Sequence, residues 1–196
     1  MQDTFNVLID GFIDTKVGIE DHFLSPQLAT NLKNNLINHF KNDLLLRAAT
    51  GRVNDLLVDL EVRKDRIYWL DRVHEDVHEN AFFDLIDTFV TYLNETCYTG
   101  ITGYEFHYAL YEQGSFYKKH LDQFKSNSSR QYSVIMYLNE NWQKGDGGEL
   151  RIYLGDGFQD IHPVTGKCVF FKSSEVEHEV LLSHKPRMSV TGWLKI

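Results

Sequence analysis

Three side chains whose types and spacing suit a metal ion stand in the C-terminal half of the chain. His120-Leu121-Asp122 places an imidazole and a carboxylate two residues apart, and in extended chain such residues point to the same side. His178 lies in an alternating segment after an apolar strand and is the best candidate for a third ligand. Two histidines and one carboxylate on one face of an octahedral ion form the facial triad of non-haem Fe(II) oxygenases.

A cation suited to a carboxylate follows on the next predicted strand. Arg187 lies nine residues after His178, and its planar guanidinium binds carboxylates bidentately and keeps its charge when buried. Such a group would anchor the 5-carboxylate of 2-oxoglutarate, whose other end chelates iron, and Tyr137 offers a hydroxyl to the same carboxylate. His-x-Asp alone is weak evidence, because nine histidines and 28 acidic residues make one such spacing expected by chance.

The joint spacing resembles the prolyl-hydroxylase-domain branch of the Fe(II)- and 2-oxoglutarate-dependent dioxygenases, the prolyl 4-hydroxylases. The resemblance covers residues 104–196 strongly and extends more weakly to Arg63-x-Asp65-x-Ile67-x-Trp69 and Asp10-Gly11-Phe12. The motifs that carry it are Tyr111-x-x-Gly114-x-x-Tyr117-x-x-His120-x-Asp122, Tyr137-Leu138-Asn139, Gly147-Gly148-x-Leu150-Arg151, Phe170-Phe171, His178-Glu179-Val180 and Arg187-x-x-x-Thr191-x-Trp193.

The resemblance implies an α+β fold, with a double-stranded β-helix (jelly-roll, cupin-like) core supported by N-terminal helices. It also implies a role for each matched position. The residues implied to bind iron are His120, Asp122 and His178. Those implied to hold the 5-carboxylate are Arg187, Tyr137 and Thr191. The cosubstrate pocket would be lined by Tyr111, Ile135, Leu150 and Val180. The substrate entrance would include Tyr117, Arg130, Trp193, Arg63 and Asp65.

The implied reaction is hydroxylation of a prolyl residue in a protein, with Fe(II), 2-oxoglutarate and O2, release of succinate and CO2, and ascorbate as reductant. Proteins of transcription or translation are the family-level substrates. The segment between Thr50 and Leu60, where the family places a substrate-covering loop, has its own sequence here. The same chemistry on another residue or on a small molecule therefore stays an alternative, as does a non-catalytic binding module with this fold.

His74-Glu75-Asp76-Val77-His78 spells the H-E-x-x-H motif and supports a different class of enzyme. On a helix this spacing places two imidazoles on one face for zinc, with Glu75 as the general base of a protease. The flanking residues 71–72 and 79–80 are polar or charged and no third ligand follows at recognisable spacing. We interpret the motif as a charged loop leading into a helix. Histidines without a partner pattern, interpreted as ordinary core or surface residues, are His22, His39, His107, His162 and His184.

The length and the lack of a linker-like stretch predict one domain over residues 1–196, with a mainly helical part (1–100) and a catalytic β core (101–196). A glycine, several charges and little apolar periodicity predict a mobile lid within the first part (50–62). Ser25 is a plausible N-cap with Pro26 at the first helical position, and a second helix is predicted over about 79–96. The predicted strands are 66–70, 104–111, 131–138, 148–154, 167–172 and 188–196.

Composition excludes several classes of partner. The formal net charge of -8 disfavours phosphate backbones and anionic membranes, so neither nucleic acid nor membrane is expected as a partner. The N-terminus lacks the basic and apolar regions of a signal peptide, and we expect a cytoplasmic protein. Cys97 and Cys168 are expected to be buried, reduced thiols.

Overall fold

The computed structural model describes residues 1–48, 59–123 and 128–196. The helices in these ranges are α1 Gln2–Thr15, α2 Pro26–Lys41 and α3 Val77–Cys97. The strands are β1 Val17–Glu20, β2 Leu46–Arg47, β3 Arg66–Trp69, β4 Gly103–Tyr111, β5 Tyr117–His120, β6 Arg130–Tyr137, β7 Leu150–Leu154, β8 Gly157–Ile161, β9 Cys168–Lys172, β10 His178–Val180 and β11 Arg187–Lys195. A short 3-10 turn, Arg72–His74, precedes α3.

Two antiparallel sheets face each other across an apolar core. The seven-stranded sheet has the order β1-β9-β6-β11-β4-β3-β2, and the four-stranded sheet has the order β5-β10-β7-β8. Strand β11 is central, since it pairs with β4 on one side and with β6 on the other. Most neighbours in the sheets are distant in sequence, which is the connectivity of a double-stranded β-helix. The predicted α+β fold with this core is confirmed.

The larger sheet has two unlike faces, because side chains alternate along each strand. In β4, Phe106 and Tyr108 pack against the helices in the outer apolar cluster. Ala109 and Tyr111 point the other way, into the cluster between the two sheets. This second, inward face is where side chains from β4, β6 and β11 can meet those of β5 and β10.

Helices α1 and α3 bury their apolar sides on the outer face, where Phe5, Phe82 and Phe89 are enclosed. Helix α2 begins as predicted, because the Ser25 hydroxyl accepts a hydrogen bond from the Leu28 N–H and Pro26 is the first helical residue. Among the helices of the described ranges, none has the length and apolarity needed to cross a membrane.

The strands predicted from periodicity are all confirmed to within two residues at each end, and α3 starts two residues before the predicted position. The sequence analysis missed the elements α1, β1, β2, β5, β8 and β10. These strands have two to five residues and include charged ones, as in β5, so no apolar period marks them.

The predicted lid at residues 50–62 lies mostly outside the described residues, and its mobility stays a prediction. Cys97 and Cys168 are both free thiols, but only Cys168 is buried. Cys97 is exposed at the last residue of α3, beyond the last buried residue of the helix, Leu93.

Candidate active site

The two predicted histidine ligands lie opposite each other on paired strands. Strand β5 ends at His120 and β10 begins at His178, and the register of the two strands aligns these residues. After β5 the chain bends, so that Asp122 Oδ1 lies 3.4 Å from His120 Nε2 and 3.6 Å from His178 Nε2. Within residues 1–48, 59–123 and 128–196, these three form the one group of side chains close enough to hold a metal ion together.

Backbone carbonyls fix the orientation of both imidazoles. His120 Nδ1 lies 2.7 Å from the Lys118 oxygen, and His178 Nδ1 lies 3.1 Å from the Val176 oxygen. Because a carbonyl can only accept, Nδ1 carries the proton in each ring and Nε2 keeps its lone pair for a metal. The hydroxyl of Ser133 donates to Asp122 Oδ2 at 2.7 Å, which leaves Oδ1 on the side of the imidazoles.

The protonation states also suit a divalent metal. Burial lowers the pKa of His178 to about 4, so that the imidazole is neutral at physiological pH. Although burial opposes its ionisation, the two imidazoles and the Ser133 hydroxyl hold the pKa of Asp122 well below its usual range. Ligand bonds of about 2.1 Å at right angles place their donors about 3 Å apart. Two imidazole nitrogens and one carboxylate oxygen at the observed separations therefore fit Fe(II).

A buried cation lies deeper between the sheets. Arg187 is 1% exposed, and its guanidinium carbon is 4.9 Å from the ring centre of Tyr111 and 5.0 Å from that of Tyr137. Its Nε donates to the Gly148 oxygen at 2.8 Å, and no carboxylate of the described chain pairs with it. An uncompensated buried charge is costly, so this pocket suits an anion that comes from outside the chain.

The Tyr137 hydroxyl is a second unpaired group in this pocket. It is fully enclosed and makes no hydrogen bond within the described residues. Burial, opposed by the nearby charge of Arg187, raises the pKa of Tyr137 to about 12. The hydroxyl therefore keeps its proton and can donate to the same anion as Arg187.

Gly148 allows its own carbonyl oxygen to lie 2.8 Å from the Nε of Arg187. Its φ of 68° lies in the left-handed region, and a Cβ there would stand 2.8 Å from Ser183 Oγ and 3.1 Å from Arg187 Cδ. Only glycine meets both requirements without displacing the arginine. The turn that contains Gly148 thus positions the guanidinium as well as reversing the chain.

The remaining residues predicted for the cosubstrate line the walls of the same space. The apolar members share the cluster between the two sheets, which includes Tyr111, Ile135, Leu150 and Val180. Thr191 is half-buried and lies opposite Ile135 in the pairing of β11 with β6. The structure therefore brings together every residue predicted for this pocket.

The residues predicted for the substrate entrance form two groups. In the first, Tyr117 stacks on the ring of His120 with 3.6 Å between centres. Arg63 lies 4.3 Å above the Tyr117 ring and binds both oxygens of Asp65, at 2.7 and 2.6 Å. This group touches a predicted iron ligand directly.

In the second group, the Arg130 guanidinium lies 3.4 Å from the ring centre of Trp193 and donates to Glu105 at 2.8 Å. Trp193 lies opposite Ser133 in the pairing of β11 with β6, and Ser133 holds Asp122. Both groups thus stand beside the triad.

The sequence analysis gave no role to three polar residues that lie near the triad. Ser133 bonds Asp122, and Ser173 Oγ lies 2.9 Å from Ser133 Oγ. His107, predicted to be an ordinary core or surface residue, lies on the inward face of the larger sheet. Its ring centre is 5.0 Å from that of Trp69 and 5.4 Å from that of Trp193. Ser133 and His107 share one available signal, since each is a polar residue at an inward position of a largely apolar strand.

The zinc-protease hypothesis is wrong, because the H-E-x-x-H motif does not form a helix. His74 ends the 3-10 turn, and Glu75 has a φ of 56°. Asp76 then caps α3 by accepting hydrogen bonds from the His78 and Glu79 N–H groups. The left-handed conformation of Glu75 therefore places His74 and His78 in different elements, and His74 Nδ1 lies 3.0 Å from Glu79 Oε2.

Comparison with known proteins agrees with this geometry. The profile of the 2OG-Fe(II) oxygenase superfamily matches residues 106–195. The chain is similar to a Pseudomonas putida prolyl-4-hydroxylase of known crystal structure, with 33% sequence identity and a TM-score of 0.87. The match covers 97% of this chain and 98% of that one. The chain belongs to the 2OG-Fe(II) oxygenase superfamily, whose members use Fe(II), 2-oxoglutarate and O2.

Two other relatives carry the name of prolyl hydroxylase. A Trichoplax adhaerens prolyl hydroxylase, in complex with a hypoxia inducible factor oxygen degradation domain peptide fragment, is 22% identical, with a TM-score of 0.86 over 99% of this chain and 90% of that one. Prolyl 3-hydroxylase OGFOD1 of Xenopus laevis is 37% identical over 75 residues, which cover 33% of this chain and 15% of the relative. The first shares the fold, and the second matches only a short segment.

Proposed function

We propose that this enzyme hydroxylates a prolyl residue of a protein, at the 4-position of the ring. The observation that carries the proposal is the full-length similarity to the Pseudomonas putida prolyl-4-hydroxylase, at 33% identity. The similarity to a prolyl 3-hydroxylase covers only 15% of that relative, so it gives less support for the 3-position.

Within this proposal, His120, Asp122 and His178 hold Fe(II). When the cofactors are bound, oxidative decarboxylation of 2-oxoglutarate to succinate and CO2 supplies the oxidising power that inserts one oxygen atom into a substrate C–H bond. Arg187 binds the distal carboxylate of 2-oxoglutarate through its guanidinium, and Tyr137 donates its hydroxyl hydrogen to the same carboxylate.

The other roles follow from position. The apolar side chains that exclude water around 2-oxoglutarate are Tyr111, Ile135, Leu150 and Val180, with Thr191 beside them. The substrate chain would cross the entrance between two groups of side chains, namely Arg63, Asp65 and Tyr117 on one side and Arg130 and Trp193 on the other. Buried, internally paired charges such as Arg63 and Asp65 present fixed dipoles, which suit the polar backbone of a peptide.

The direct test is incubation of the Fe(II)-loaded protein with 2-oxoglutarate and cell extract, followed by mapping of residues that gain one oxygen atom. We expect the gain on proline, and we expect acid hydrolysis of the modified peptide to release 4-hydroxyproline. The His120→Ala protein serves as the control and should add no oxygen. Modification confined to other residues, or to small molecules, would contradict the proposal.

We further propose that the substrate is a protein of transcription or translation and that the enzyme works in the cytoplasm with ascorbate as reductant. The similarity to a prolyl hydroxylase in complex with a hypoxia inducible factor peptide supports a regulatory protein as the substrate. The identity of the modified protein in the extract experiment tests the class, and the dependence of succinate yield on added ascorbate tests the reductant.

A further inference from the structure

The imidazole of His107 is a buried polar group with no partner inside the described protein. The residue is 3% exposed, and its Nδ1 is fully enclosed without a hydrogen bond. Its ring contacts those of Trp69 and Trp193, which also contact each other. Since an apolar side chain would avoid the desolvation cost of such a nitrogen, a histidine here calls for a functional explanation.

His107 lies on the floor of the substrate entrance. In the larger sheet it is opposite Trp69 of β3 and Thr191 of β11. The next strand beyond β11 is β6, which carries Ser133 and lies two strand spacings away, or about 10 Å. The charged groups that act on the imidazole are all residues of the site already described: Arg63, Asp65, Arg130 and Asp122.

The protonation state decides what this ring can offer. Burial lowers the pKa of His107 to about 4, so the neutral ring carries one N–H and one acceptor nitrogen. A buried unpaired N–H is rarer and costlier than a buried unpaired acceptor. The favoured tautomer therefore carries the proton on Nε2, and the enclosed Nδ1 is the acceptor. Nε2 also has no hydrogen bond in the described chain, but unlike Nδ1 it is not fully enclosed. It is therefore the nitrogen that a bound group can reach.

A second unpaired donor lies beside it. The indole Nε1 of Trp193 is buried and has no hydrogen-bond partner in the described residues, and an indole N–H can only donate. The ring centres of Trp193 and His107 are 5.4 Å apart. The entrance floor therefore carries two N–H donors that have no partner within the described residues.

We propose that His107 is a substrate-binding residue that donates a hydrogen bond from Nε2 to a main-chain carbonyl of the prolyl peptide. The inference rests on the proposed function. Proline has no backbone N–H, so the peptide group that precedes it offers only its carbonyl oxygen. Two N–H donors without partners in the described protein are complementary to that carbonyl, and the tilted ring contacts with Trp69 and Trp193 hold the imidazole in place.

The test compares two substitutions in the full Fe(II)- and 2-oxoglutarate-loaded enzyme. His107→Phe keeps an aromatic ring beside the two tryptophans but removes both nitrogens, whereas His107→Gln keeps an amide N–H. His22→Phe, in an exposed turn away from the site, is the matched control. The probe is a synthetic peptide centred on the proline that the wild type modifies in cell extract, and the readouts are the KM for peptide, the KM for 2-oxoglutarate and kcat.

The loss of one neutral hydrogen bond predicts that His107→Phe raises the KM for peptide about three- to ten-fold. The KM for 2-oxoglutarate should change less, and His107→Gln should stay within about two-fold of the wild type in both constants. A merely structural role would instead lower the melting temperature and change both KM values in parallel.

Three results would overturn the inference: an unchanged KM for peptide in His107→Phe, equal increases in the Phe and Gln variants, or parallel changes in both KM values. If the wild type modifies no proline in the extract while still converting 2-oxoglutarate to succinate, the proposed function fails and this inference fails with it. If the wild type modifies the peptide and His107→Phe does so with the same constants, the inference alone fails.

Discussion

At the scale of single residues, Ser133 decides which oxygen of Asp122 faces the metal. Its hydroxyl occupies Oδ2, so Ser133→Ala frees the carboxylate to rotate while leaving all three ligands in place. We predict a loss of Fe(II) affinity of about 10- to 100-fold, the usual effect of removing a group that orients a ligand. Anaerobic Fe(II) titration measures it, and Ser173→Ala, which removes a partner of Ser133 but not of Asp122, should have the smaller effect. Equal losses in both variants would refute this account.

Arg187 is the second residue whose removal has a definite consequence. Arg187→Ala leaves a bound carboxylate without its charged partner, at a cost of roughly 2–5 kcal/mol, so we predict a strong rise in the KM for 2-oxoglutarate. Iron binding should survive, because Arg187 is not a metal ligand. Arg187→Lys keeps the charge and loses the bidentate geometry, so its KM for 2-oxoglutarate should lie between those of the wild type and the alanine variant. An unchanged cosubstrate titration in the alanine variant would remove Arg187 from this role.

Residue types and spacing predicted the triad and Arg187, because their chemistry is visible in the sequence itself. The role of Ser133 could not be predicted in the same way. A serine in an apolar strand acquires its function from the bend after β5, which brings Asp122 over β6. His107 was missed for the same reason, since its neighbours Trp69 and Trp193 are set by the register of three strands.

At the scale of elements, backbone conformation rather than composition decides between the two metal hypotheses. The reversal at Glu75 ends the 3-10 turn, and Asp76 starts α3, so His74 and His78 cannot act as a pair on one helix. We predict that the variants His120→Ala, Asp122→Ala and His178→Ala lose succinate formation, and that His74→Ala, Glu75→Ala and His78→Ala retain most of it. Loss of turnover in the His74 variant, with His120 dispensable, would reverse the assignment.

The long elements were predictable and the short ones were not. Strand β11 spans nine residues and alternates polar and apolar types from Arg187 to Thr191, and α3 carries apolar residues at helical spacing over 21 residues. Strands β5 and β10 have four and three residues, too few to show a period, although they carry both histidine ligands. Their pairing is defined by long-range contacts with each other and with β7, which one short segment of sequence does not encode.

At the scale of the whole molecule, the burial of His107 links stability to pH. Burial lowers its pKa to about 4, from an ordinary value of 6.5, so the unfolded chain binds this proton at a higher pH than the folded protein does. The resulting stabilisation is complete above pH 6.5 and is lost as the pH falls towards 4, at up to ~1.4 kcal/mol per pH unit.

We therefore predict that the free energy of unfolding of His107→Phe falls less steeply than that of the wild type between pH 6.5 and 4. Urea titrations of both proteins under the same metal conditions measure the two slopes. The pKa of His178 is also lowered by burial, but this histidine is present in both proteins, so the difference between the slopes reports His107. Parallel curves would show that the imidazole titrates normally in the folded state.

The two faces of the larger sheet carry residues with different tasks. Residues on the helix-packed face are needed for folding, whereas residues on the inward face can change and thereby alter the chemistry of the site. On β4, Phe106 and Tyr108 belong to the helix-packed side, whereas Glu105 and His107 lie on the inward face, at the proposed substrate entrance. Mutations at alternate positions of a single strand therefore act on different properties. Such a division makes the entrance a favourable target for directed evolution, because a library limited to inward positions would sample new specificities over an unchanged scaffold.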